Sequence, residues 1–95
     1  METIYLGSKT LKLTNWELKT DYYYVRKKDK HILYEVNSRG GKNKWVLDIE
    51  SGDNYLFFTD KSEKITIKNQ KTELVNFNDT HDLFRWVYNR YKSFN

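Results

Sequence analysis

The sequence predicts an α+β domain: an antiparallel meander of six to seven strands, strongly curled or barrel-like, packed by one C-terminal amphipathic helix. Three observations carry this expectation. Alternating apolar and polar residues fill the chain from about Thr3 to Phe77, the breaks within that stretch are short, and an apolar stripe of helical period follows. Connections this short cannot make parallel crossovers, so successive strands are expected to pair antiparallel.

Strand-like runs fall at about Thr3 to Leu6, Thr10 to Leu18, Tyr22 to Lys28, His31 to Asn37, Lys44 to Glu50, Tyr55 to Thr59 and Ile65 to Lys68. Turn signals separate them: Gly7-Ser8, Thr20-Asp21, Asp29-Lys30, the loop Ser38 to Asn43, Gly52-Asp53 and the charged Lys61 to Lys64. A hairpin is plausible only where its turn brings the apolar positions of both strands to one face. An Asp29-Lys30 turn sets Val25 opposite Tyr34 and Tyr23 opposite Val36. A Ser38 to Asn43 loop sets Val36 opposite Trp45 and Tyr34 opposite Leu47, Gly52-Asp53 sets Leu47 opposite Phe58, and Lys61 to Lys64 brings Phe58 opposite Ile67. One core face results.

Past Phe77 the period changes. Asn78 and Asp79 are N-cap candidates, Asp82 lies where the helix dipole favours an anion, and Arg90 and Lys92 lie near the end. A helix is expected from about Asp79 to Ser93, with Leu83, Phe84, Val87, Tyr88 and Tyr91 covering the core face. This order of elements resembles the outline of pleckstrin-homology-like barrels, whose last helix plugs one end; the likeness is one of element order alone and implies a barrel, not a function.

The 95 residues make one domain, with sheet at about 3–77 and helix at about 79–93, and the 38% hydrophobic content with 8 Tyr, 5 Phe and 3 Trp is enough to build a core. With no cysteine there is neither a disulfide framework nor a thiolate ligand. The chain starts without a basic, apolar leader and has no membrane-length apolar run, so a cytoplasmic protein without a membrane partner is expected. Alanine and proline are absent while Lys, Asn, Ile, Tyr and Phe abound, the bias of AT-rich codons, which points to a phage or mobile element of an AT-rich bacterium. The net charge of +4 follows partly from the same bias and is weak support for a polyanionic partner.

No catalytic motif stands out, and an enzyme is not expected. His31 and His81 sit in no metal-ligand pattern, a His31/Glu50 acid-base pair lacks a pocket, and Gly40-Gly41 lacks the signature of a phosphate loop. No cofactor or metal is implied. The register above turns Tyr22, Tyr24, Arg26 and Phe57 outward, together with Leu33 and Val46. Such a face is either a contact surface anchored by Tyr and Arg, or is covered by the N-terminal strands carrying Leu11, Leu13, Trp16 and Leu18. On the helix, Trp86 falls away from the apolar stripe between Asp82 and Arg90, and Trp86 and Arg90 are the second candidate anchor.

The leading expectation is therefore a small non-enzymatic binding protein that docks onto and inhibits a host protein, for example a defence nuclease such as a CRISPR effector. Its partner-binding residues are Tyr22, Tyr24, Arg26, Phe57, Trp86 and Arg90. The alternative is a single-stranded nucleic-acid binder whose hairpin cations Arg39, Lys42 and Lys44 hold phosphates beside the aromatic face. The 13 acidic residues argue against that alternative. Monomer and homodimer both remain open.

Overall fold

A computed structural model describes residues 3–27, 30–48, 54–58 and 69–91. Six strands, β1 (Thr3–Leu13), β2 (Trp16–Lys27), β3 (Lys30–Asn37), β4 (Lys42–Asp48), β5 (Asn54–Phe58) and β6 (Asn69–Thr72), precede one helix, α1 (Thr80–Tyr91). The α+β class and the C-terminal helix are as expected. The sheet is an open row, β5-β4-β3-β2-β1-β6, and not a barrel.

Its pairs are antiparallel except that β6 runs parallel to β1. The expectation of an all-antiparallel meander fails at this one edge because short connections constrain only consecutive strands. β1 and β6 lie at opposite ends of the strand region, so any direction is open to them.

The N-terminal third also departs from expectation. Gly7-Ser8 and Thr20-Asp21 are not turns: β1 runs through the first and β2 through the second, and the chain reverses at Thr14-Asn15. One long hairpin thus replaces three short strands. Gly7 marks a register shift between Tyr5 and Gly7 and has φ 122°, a conformation open to glycine and strained for other residues. The shift matters for side-chain direction. Ile4 and Leu6 are even-numbered while Leu11 and Leu13 are odd-numbered, and the extra residue lets both sets serve one face.

The register of β3 with β4 corrects the predicted faces. Leu33 lies opposite Trp45 and Val36 opposite Lys42, a displacement of three residues from the expected pairing of Val36 with Trp45. An odd displacement turns β4 over. Asn37 is the cause: its Oδ1 accepts from the amides of Arg39 and Gly41, both at 2.9 Å, and closes the turn so that Lys42 and Asn43 already belong to the strand. The β2/β3 pairing moves by two residues, with Tyr23 opposite Tyr34 and Val25 opposite Ile32, and its faces are unchanged. In β4/β5 Leu47 faces Asn54 and Trp45 faces Leu56. The expected strand Ile65 to Lys68, the Gly52-Asp53 turn, the Lys61 to Lys64 loop and the helix end at Lys92 and Ser93 lie outside the described residues.

α1 covers the face bearing Ile4, Leu6, Tyr22, Tyr24, Leu33 and Leu47, into which it inserts Leu83, Phe84, Val87 and Tyr91. The predicted stripe is therefore the buried one, with Tyr88 half-buried beside it. Leu83 and Val87 are fully buried, each worth about 1.5–3 kcal/mol of transfer free energy. Asp79 caps the helix, its Oδ1 accepting from the Asp82 amide at 2.8 Å, and the Asp82 carboxylate accepts in return from the Asn78 amide at 3.2 Å. A second, smaller cluster of Val25, Ile32 and Tyr34 is buried on the opposite face. Because β2 and β3 are apolar on both faces, alternation alone could not decide which face the helix would take.

Candidate functional site

The first turn of the helix meets β3 and β4, where the His81 ring lies 5.2 Å from Trp45, and its last turn meets β2 and the segment after β6. Near its start, Phe77 packs edge-on against Tyr22 with ring centroids 5.0 Å apart, and the Thr80 hydroxyl donates to Glu35 at 3.1 Å. At its end Tyr91 stacks on Tyr24 at 4.7 Å, and Arg26 donates to the Tyr91 carbonyl at 3.4 Å, a cation placed where the helix dipole favours one. The sheet continues beyond the helix start. Residues 8–17 of the β1/β2 hairpin are all exposed, and the molecule is elongated, with extents of 45 × 29 × 26 Å.

This projecting hairpin is an amphipathic ribbon. Leu11 lies directly opposite Leu18 and Leu13 opposite Trp16, so the four share one face, whereas Thr10, Lys12, Glu17 and Lys19 share the other. In β2 the period of two places Trp16 and Leu18 on the same side as Tyr22 and Tyr24. The apolar face is thus the helix-covered face, continued past the helix. Leu11 is 56% exposed, Leu13 41% and Trp16 40%. Arg39 reaches across from the β3/β4 turn and lies over the Trp16 ring at 4.0 Å. The Ser38 amide donates to the Lys19 carbonyl at 2.8 Å and the Lys19 amide to the Ser38 hydroxyl at 3.1 Å, which fixes that turn to the hairpin. At the inner end Lys9 lies over Phe77 at 4.8 Å.

The residues expected to form a partner-binding face are distributed differently. Tyr22 and Tyr24 are core residues, 7% and 2% exposed, because the face predicted to point outward is the one the helix covers. Arg26 is half-buried at the helix end. Phe57 lies opposite Lys44 in the ladder, and its side chain is outside the described residues. Trp86 is half-buried against the core with its ring edge-on to Tyr91 at 6.3 Å, so it is not an outward anchor. Arg90 is exposed as expected, but its partners are the Tyr91 ring at 5.4 Å and the Glu73 carboxylate at 3.3 Å rather than Trp86. Of the three hairpin cations, only Arg39 reaches the exposed apolar face. Lys42 and Lys44 lie opposite Val36 and Tyr34, on the face away from Trp45. The alternative in which Leu11, Leu13, Trp16 and Leu18 fold over the sheet is also not found: they extend it.

The buried titratable groups His31, Tyr24 and Tyr91 lie under the helix. His31 is fully buried, its Nδ1 is 2.6 Å from the Tyr24 hydroxyl, and its Nε2 has no hydrogen-bond partner among the described residues. Burial, with the Arg26 charge adding, lowers its pKa from 6.5 to about 4, and burial raises that of Tyr24 to about 12. The Tyr91 hydroxyl, buried and donating to Glu73, is held protonated and in turn keeps the Glu73 carboxyl below its ordinary range. Both groups are thus neutral or paired at pH 7, an arrangement that suits a core. Glu50, the conceivable partner of His31, lies outside the described residues. Among the described residues no group of three His, Cys, Asp or Glu side chains is placed to hold a metal ion, and no helix is long and apolar enough to cross a membrane.

The exposed hairpin face was missed, because Thr10 to Leu18 was expected to be one strand; the signal that could have shown it is that Leu11, Leu13, Trp16 and Leu18 flank Thr14-Asn15 almost symmetrically, as a hairpin with one apolar face requires. What the apolar pattern could not supply was that, among the described residues, no element lies above it. Comparison of the chain with protein-family models, with curated proteins and with solved structures gives no match, so its surfaces alone carry the functional argument.

Proposed function

We propose that this chain is a non-enzymatic binding protein that docks onto a protein partner through the exposed apolar face of the β1/β2 hairpin. The observation that carries this reading is the exposure of Leu11, Leu13 and Trp16 on one face of a paired ribbon. Soluble domains seldom leave such a row uncovered without a use for it. A ribbon already in its bound shape loses little conformational freedom on docking, which favours affinity. The codon bias of the sequence adds the setting: a phage or mobile element whose product blocks a host protein, a defence nuclease being one example.

Affinity co-purification from the native host tests this. Wild-type protein is expected to retain one partner in stoichiometric amount, and a Leu11→Ser/Leu13→Ser/Trp16→Ser variant with unchanged circular dichroism is expected to lose it. A complex that survives those substitutions, or no complex at all, refutes the reading.

The single-stranded nucleic-acid reading has less support. Arg39 already occupies a face of the Trp16 ring on which a base would stack, and Lys42 and Lys44 belong to the other face of the sheet. Affinity for a labelled oligonucleotide that falls steeply with salt, and that is lost on Arg39→Ala, would reverse the order of the two readings.

A further inference from the structure

We infer that the occupant of the hairpin's apolar face is an amphipathic α-helix of the partner, flanked by acidic side chains, which packs beside the start of α1 and extends the helix layer. The inference rests on the docking reading above and specifies what docks. Its basis is a step in the molecular surface. α1 and the Phe77 ring before it cover the sheet from Arg26 back to Tyr22, while the same face continues through Leu18 to Trp16. Tyr22 and Trp16 are six residue steps apart along β2, a floor of about 20 Å, of which Phe77 covers the Tyr22 end. An α-helix is roughly 10 Å across with its side chains, so α1 forms a wall of that height at the inner end of the floor.

A flat surface such as a bilayer meets the helix layer before it reaches the base of this step. A rod of the same thickness as α1 fits it. The floor is already the kind of surface on which this protein packs a helix, since it prolongs the row of Tyr22 and Tyr24, on which Phe77 and the helix residue Tyr91 lie. Leu11, Leu13, Trp16 and Leu18 would then meet apolar side chains at helical spacing, in the manner of a helix laid into an apolar groove.

Charge selects the flanks of that helix. On this face the floor is bounded by Lys9 over Phe77 at one end and Arg39 over Trp16 at the other. The acids of the hairpin, Glu17 and Asp21, point to the opposite face, where Asp21 lies 4.0 Å from Lys19 and accepts from the Tyr5 hydroxyl at 3.3 Å. The acids at the adjoining helix start, Asp79 and Asp82, hold the amides of the first turn. A partner carrying Asp or Glu beside its apolar stripe is therefore favoured over one carrying Lys or Arg.

The test uses three labelled peptides of about 18 residues, a length that sustains a helix when one face is packed. One has leucines at helical spacing flanked by Glu, one has Lys in place of Glu, and one has the Glu composition rearranged to a period of two. Fluorescence anisotropy is expected to give binding of the Glu-flanked helix roughly ten-fold or more tighter than either other peptide. NMR shift changes are expected at residues 9–20. Leu11→Ser/Trp16→Ser is expected to abolish binding, and Lys9→Glu/Arg39→Glu to reverse the preference between Glu and Lys flanks.

Equal affinity for the three peptides, an unchanged preference after charge reversal, or shifts confined to another surface overturns the inference. So does the absence of peptide binding where anionic phosphatidylglycerol vesicles or an oligothymidine bind through Trp16 and Arg39. If the hairpin variant loses its co-purified partner while no peptide binds, docking at the hairpin stands and the helical occupant falls. If the partner is retained by that variant, the docking reading itself falls.

Discussion

Acidification should destabilise this protein through His31 in a predictable window. The imidazole is fully buried between the sheet and α1, with Tyr24 on Nδ1, the Tyr88 ring edge-on at 5.8 Å and the Arg26 charge nearby. Burial and the Arg26 charge both disfavour a second positive charge there. The folded pKa is lowered from 6.5 to about 4, so between those values the unfolded chain binds a proton that the folded one refuses. Stability from this group is complete above pH 6.5 and is lost as the pH falls toward 4. Each unit of displacement is about 1.4 kcal/mol, which makes the loss about 3 kcal/mol over the window. That is a large share of the roughly 5–15 kcal/mol of a typical domain.

Urea denaturation followed by circular dichroism at pH 7, 5.5 and 4.5 measures this loss. His31→Leu removes the titration, and its stability should depend less steeply on pH than that of the wild type, whatever its absolute value. Glu73, whose carboxyl is held below its ordinary 4.5, contributes stability that is lost as the pH falls past that value, so it overlaps only the foot of the window and leaves the range from pH 7 to 5.5 to His31. Parallel pH slopes for wild type and His31→Leu would refute the argument, as would an imidazole NMR titration with a midpoint near 6.5 in the folded protein.

Three further outcomes follow from the fold. Gly7→Ala places a side chain at φ 122°, and since its Cβ would meet the nearest atom, Leu74 Cδ2, only at 3.8 Å, the cost is backbone strain of about 1–3 kcal/mol read by urea midpoint. Asp79→Ala removes the cap on the Asp82 amide and should cost about 1 kcal/mol, with Asp79→Asn or Asp79→Ser restoring most of it. Leu83→Ala, at a fully buried position, should cost about 2–5 kcal/mol in the same assay; a smaller loss would mean that the helix is not seated on the sheet as described.

The helix was the most legible element, for physical reasons that particular residues make plain. Asp79 and Asp82 cap its start locally, and Leu83, Phe84, Val87 and Tyr91 repeat at its period, so no distant contact is needed to recognise it. The β1/β2 hairpin was half legible. Its apolar positions alternate within each strand, but the reversal at Thr14-Asn15 was not expected, and Gly7-Ser8 and Thr20-Asp21 carry the same turn signals whether the chain turns or runs on. Only the pairing of Gly7 with Tyr22 and of Thr20 with Lys9 decides that it runs on.

The site was less legible because it depends on which face is covered. Tyr22 and Tyr24 lie on the opposite side of β2 from Tyr23 and Val25, and every one of these residues is apolar or aromatic enough for a core. A register error of three residues at Asn37 was then enough to exchange inside for outside.

Alternation, capping residues and the apolar stripe determine by themselves that this chain makes a sheet closed by one C-terminal helix. Leu11, Leu13, Trp16 and Leu18 stand out by themselves only as apolar positions of one expected strand, Thr10 to Leu18; that they form one face of a strand pair is decided by the reversal at Thr14-Asn15. Tertiary structure decides the rest. The length of the Asn37 turn sets the face of β4, the shift at Gly7 sets the face of the hairpin, and the reach of α1 sets how much of that face is covered. Local sequence records the period of an element but not the neighbour that lies over it. Exposure depends on that neighbour, and with it the location of the candidate docking face.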